Sequence, residues 1–123
     1  MQKPKENIFN GKWKSYKIFK TSGDVRFHTQ QRFKEFEFQY DGILIITSYE
    51  GNFKRELVRT NQWSIEEKKH RHYLNISKPK FIYEVVSIDC ELMVLADISF
   101  NEKTFYAKEG AWMKYLNQSR VGL

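Results

Sequence analysis

The chain has a single cysteine, Cys90, so no disulfide forms within it and the fold must stand on packing alone, as suits a reducing compartment. Lying between two apolar runs, that thiol is expected to be half-buried. No apolar run is long enough to span a bilayer as a helix. The opening residues, MQKPKENIF, show neither an apolar signal segment nor a small-residue cleavage site, and a cytoplasmic location is expected. There is no phosphate-cradling glycine loop and no Gly-x-Ser-x-Gly elbow, and nothing in sequence supplies Cys90 with a base. Internal repeats and low-complexity segments are absent too. A length of 123 residues reads as one domain, 1–123, able to bury roughly two-thirds of its unfolded surface.

What the chain has is positive charge and aromatic bulk. With 21 basic and 15 acidic residues its formal net charge is +6, a field that raises the local concentration of anions. The excess is interspersed with glutamates, and no basic stripe or binding motif points to nucleic acid. Aromatic residues form 16% of the sequence, a composition that favours strands around a bulky interior.

Turn signals cut the chain into short strands. KENIFNG reads as one helical turn stopped at Gly11, and the strand KWKSYKIFK follows. TSGD turns the chain, and residues 25–31 read as a long loop. RFKEFEFQY alternates, with Phe36, Phe38 and Tyr40 on one face and Glu35, Glu37 and Gln39 on the other, solvated face. Asp41–Gly42 is a strong hairpin signal, with ILIITSYE as the partner strand. FKRELVRTNQWSI, YLNIS, FIYEVVSI and ELMVLADISF follow, separated by EGN, EEKKHRH, KPK and the residues around Asp89 and Cys90. TFYAKEGAWMKYL reads as a last strand bulged at Gly110, with a frayed tail. The prediction is an all-β domain: an antiparallel up-and-down β-barrel of about eight strands after a short N-terminal helical turn.

Gly11, Lys12 and Trp13, at the head of the first strand, resemble the Gly-x-Trp motif of the lipocalin and calycin group. NQWSIEE…HYLNIS followed by FIYEVVSIDCELMVL is similar to short bacterial lipocalin-like domains. The resemblance implies a barrel with one closed and one open end, in which Trp13 folds under the floor. The basic residue that the family packs over this tryptophan from the last strand would be Lys114, with Lys108 as the second choice. Secreted lipocalins also have a signal peptide, a disulfide, a Thr-Asp-Tyr turn and a C-terminal helix on the barrel, none of which is read here. Trp13 as one core tryptophan among several is the plainer alternative.

Eight strands enclose an interior that side chains fill, or that holds one small ligand. Alternation puts Phe36, Phe38, Tyr40, Ile45, Leu57, Trp63, Tyr73 and Tyr83 inward. Arg55 and Arg59 share the parity of Leu57 and Trp63. Pointing inward, they need a carboxylate, from Glu84 or from a ligand; at strand ends they reach water along apolar stems. His70 and His72 would present both rings on one strand face, a spacing that chelates metal only with further ligands. No metal site and no cofactor is expected, and His28 is given no role. These residues point to a non-enzymatic binder of a small apolar or amphipathic, anionic-leaning molecule, its site formed by Phe36, Phe38, Tyr40, Arg55, Leu57, Arg59, Trp63, Tyr73 and Tyr83. Barrels of this type occasionally catalyse isomerisation or cyclisation. The rival expectations are a pocketless interaction module or homodimer using Tyr16, Phe19 or Trp112, and, with less support, a nucleic-acid-binding barrel. No membrane partner is expected.

Overall fold

The computed structural model describes residues 6–121, with side chains for 7–118; Pro4 and the last two residues of the tail lie outside that range. A 3-10 turn over Glu6–Phe9 leads into β1 (Gly11–Lys20), as the sequence predicts. Then come β2 (Val25–Phe27), β3 (Arg32–Phe38), β4 (Leu44–Glu50), β5 (Phe53–Thr60), β6 (Trp63–Lys68), β7 (Arg71–Ser77), β8 (Lys80–Ile88), β9 (Leu92–Asp97) and β10 (Glu102–Lys108). A 3-10 turn over Glu109–Ala111 introduces one helix, α1 (Trp112–Val121).

The strands form one strongly curled antiparallel sheet in the order β5-β4-β3-β1-β10-β9-β8-β7-β6, with β2 beside the second half of β1. The segment expected to be a loop thus contributes a short strand. Nine successive antiparallel neighbours make the end strands, β5 and β6, run the same way, and only Asn61 and Gln62 separate them. They are two halves of one kinked strand that leaves β4 and joins β7. Counted so, the wall has eight positions, and the curl brings the Trp63 ring of β6 to 5.0 Å from Phe38 of β3 and 6.0 Å from Phe9, while the outer edges of β5 and β6 stay unpaired.

The C-terminal segment corrects the expectation of a final strand through residue 116. The last strand stops at Lys108, and α1 packs on the outside of the sheet. Trp112, Tyr115 and Leu116 fall at helical spacing, which puts them on one face. The Trp112 indole donates to the Ser15 carbonyl at 2.9 Å, and Tyr16, Ala107, Trp112 and Leu116 form a second core there.

This outer layer also corrects the reading of Glu35 as solvated: it faces outward yet is buried. Burial raises its carboxyl pKa, against the pull of Lys12 and Lys14. A raised folded-state pKa means that the fold favours the protonated form. The stabilisation is therefore full below the unfolded value and is lost as pH rises through the folded one. Glu35→Gln is expected to melt higher than the parent at about pH 7 and level with it near pH 3, by thermal scans at both.

Candidate functional site

The sheet is sealed at one end by the motif that opens β1. Gly11 holds φ +111°, a conformation that side chains rarely adopt, and a Cβ there would meet the Lys108 ammonium at 2.8 Å. That close passage lets Lys108 donate to the Asn10 carbonyl while its Nζ stands 4.5 Å from the Trp13 ring centroid. Trp13 is fully buried, and its indole donates to the Phe9 carbonyl at 2.7 Å. The lysine over the tryptophan is therefore Lys108. Lys114, on α1, pairs with Glu91 at 3.8 Å and lies over Tyr115, because the chain has already left the sheet.

Above this floor the interior is packed. Phe36 sits edge-on to Tyr106 at 5.1 Å and to Tyr83 at 5.6 Å, and Phe36, Phe38, Leu44, Ile46, Leu74 and Met93 are all buried around them. Phe36 and Phe38 thus fill the interior instead of lining a hollow. Tyr40 is 92% exposed in the β3–β4 turn, since the alternation that placed it inward ends at Phe38. Ile45 faces outward between the inward Leu44 and Ile46, opposite Arg59.

On β5 the inward residues are Val58 and Thr60, not the odd-numbered set. Parity changes twice, at the Asn61–Gln62 kink and at the irregularity that pairs Ile46 with Val58 but Thr47 with Glu56. Leu57, on that bulge, is partly exposed. Arg59 is exposed beside a groove of about 490 Å³ with Thr60, Asn61 and Lys78, and Arg55, opposite Ser48, is exposed on the free edge. Neither arginine enters the interior, and Glu84 pairs instead with Arg71 at 3.6 Å. Trp63 belongs to the floor.

Toward the β1–β2 and β9–β10 turns the lining becomes polar. One inward row runs across five strand pairings: Lys20, Glu102, Asp97, Tyr83, Leu74 and Ile65. Glu102, Asp97 and Tyr83 of this row enclose, with Lys34 and His28, a cavity of about 50 Å³, whose wall also includes Tyr106 and Thr104. Burial shifts four of the groups here towards neutrality: Tyr83 is pushed up to about 12, Tyr106 goes well above the ordinary phenol value, and Lys34 and His28 are lowered. Ser15 Oγ and His28 Nδ1 share a 2.6 Å hydrogen bond, and the Lys34 backbone N–H donates to the same hydroxyl at 2.8 Å.

Outside the same end lies a groove of about 560 Å³ that shares Lys20, Asp97 and Glu102 with the inward row. Its floor is the outward row Phe19, Lys103, Ala96, Glu84 and Tyr73, in which the small Ala96 leaves the depression. Ile98 and Arg71 add to the walls, and Lys20–Glu102 is an ion pair at 3.7 Å. Of the residues expected to line the interior, Tyr73 instead faces outward into this groove, because the inward residues of β7 are His72, Leu74 and Ile76, while Tyr83 lines the cavity behind it. Sequence reading missed Lys34, Asp97 and Glu102. The signal was present for Lys34, which alternates in step with Phe36 and Phe38.

Three further readings change. His70 lies in the β6–β7 turn while His72 is buried facing inward, so their rings do not share a face. Cys90 is exposed. Tyr16 on the sheet and Trp112 on α1 are buried against each other's element and present no surface for a partner, unlike the partly exposed Phe19. No helix among the described residues is long and apolar enough to cross a membrane. Comparison with known proteins gives no match to a family model, a curated protein or a solved structure.

Proposed function

We propose that this chain is a non-enzymatic binding protein for a small amphipathic molecule, anionic in preference, held at the polar end of a lipocalin-like barrel. The observation that carries the reading is the groove of about 560 Å³ lying against the buried polar cavity, with Asp97 and Glu102 common to both. Its volume falls within the roughly 300–1,000 Å³ of small-molecule sites. Phe19, Tyr73 and Ile98 offer an apolar bed, where each 100 Å² or so of ligand surface removed from water contributes about 2.5 kcal/mol. Lys20 and Arg71 already have carboxylate partners, which leaves Lys103 as the cation for an incoming anionic head. A cytoplasmic setting, in which an exposed thiol such as Cys90 stays reduced, suits this reading.

None of the three tryptophans lines the groove, so their fluorescence is a poor reporter. Calorimetric titration with decanoate, decanol and decylamine is the direct test. Saturable binding, tightest for decanoate, is expected, and no heat from any of the three up to the millimolar range would overturn the reading.

A second reading, association between copies, draws on Phe53 at the start of β5 and Phe100 in the β9–β10 turn, which are 79% and 71% exposed at the same end of the sheet. Sedimentation showing a concentration-dependent dimer that both Phe→Ser changes abolish would favour it.

A further inference from the structure

We propose that Lys34 captures small aldehydes as a reversible imine inside the polar end of the barrel. The inference rests on the binding reading only for where the aldehyde's tail goes; the reactive group is a property of the enclosed cavity.

Lys34 stands on β3 in step with Phe36 and Phe38, so its side chain enters the interior, where it lines the cavity of about 50 Å³. The bond from its backbone N–H to Ser15 Oγ fixes the strand at that point. The charged and titratable groups facing it are His28 from the loop before β3, Tyr83 from β8, Asp97 from β9, and Glu102 and Tyr106 from β10. Asp97 and Glu102 act on the ammonium from a distance: among the described residues none makes an ion pair with it within 4.0 Å. Burial outweighs both carboxylates and lowers the amine's pKa. A lysine so desolvated keeps more of its neutral, nucleophilic form near pH 7 than a surface lysine does.

The chemistry closes without an outside oxidant or reductant. The Nζ lone pair attacks the carbonyl carbon, the C–N bond forms, and the C=O π pair moves to oxygen, which takes a proton as nitrogen gives one up. The carbinolamine then loses its hydroxyl with a proton as water, leaving C=N; amine and aldehyde give imine and water. Asp97 and Glu102 border both the cavity and the groove, so either carboxylate is placed to carry the proton while an alkyl tail lies against Phe19 and Ile98.

The test needs no variant. The protein is incubated with hexanal and sodium cyanoborohydride at neutral pH, and the reduced adducts are mapped by peptide mass spectrometry against time. Lys34 is expected to label about tenfold faster, or more, than the exposed Lys68 and Lys80. Labelling of Lys34 no faster than those two would overturn the proposal. A parallel titration with hexanol, which has no carbonyl, separates the failures: binding without fast labelling removes the imine alone, and absence of both removes the groove as well. As a control, Lys34→Arg is expected to lose the fast-labelled site and no other.

Discussion

Replacing Trp13 with alanine is expected to cost about 3–5 kcal/mol of folding stability, a drop in melting temperature of roughly 10–20 °C. Three losses coincide at this residue. A fully buried indole leaves a cavity among Phe9, Phe36 and Phe38 that the curled sheet cannot close by collapsing. The Phe9 carbonyl, which takes the indole N–H at 2.7 Å, is left inside without that donor, a further penalty on top of the cavity. Lys108 loses the ring face that its ammonium covers while still held close to Gly11 and the Asn10 carbonyl. Chemical denaturation of the variant and the parent measures the difference. A loss below about 1 kcal/mol would show that Trp13 is an ordinary surface-near side chain and not the floor of the barrel.

The second large effect is on binding. Ala96 lies in the outward row between Lys103 and Glu84, and its small side chain is what leaves the groove open. Ala96→Trp puts an indole into that space from the outer face, without touching the packed interior around Phe36 and Tyr106. Decanoate affinity is expected to fall at least about tenfold, some 1.4 kcal/mol, while the melting temperature changes little. Titration calorimetry and a thermal scan on the same sample separate the two quantities. Unchanged affinity in a variant that melts normally would place the ligand elsewhere.

The sequence carries the hairpins and the floor well, because each rests on local chemistry. Asp41–Gly42 makes its turn with Gly42 at φ +87°, and the Gly11–Trp13 head of β1 needs only a positive φ and a large ring. It carries the interior only as far as alternation runs unbroken. Phe36 and Phe38 are correctly inward, but a bulge shifts the register between Ser15 and Lys17, another between Ile46 and Thr47, and a third between Val85 and Ser87. A bulge exchanges the faces of the residues beyond it; the one in β5, together with the Asn61–Gln62 kink, puts Leu57 and Arg59 off the inner face, whereas Arg55 keeps the face of Ser48 and Lys34 but lies exposed at the sheet edge.

The polar end was hidden for a different reason. Asp97, Glu102 and Lys20 become neighbours only through cross-strand register, and a lysine between glutamates and phenylalanines looks like solvated surface until the sheet curls over it. The helix was obscured by its composition. Trp112 and Tyr115 favour strands when read singly, and only their spacing with Leu116 shows the helical face.

Amide chemical-shift mapping during a decanoate titration tests the site most directly. Progressive shifts clustered at Phe19, Tyr73, Ala96, Ile98 and Lys103, extending inward to Lys34 and Tyr83, are the expected pattern. Shifts confined to the floor around Trp13, or to the separate groove beside Arg59 and Lys78, would contradict it.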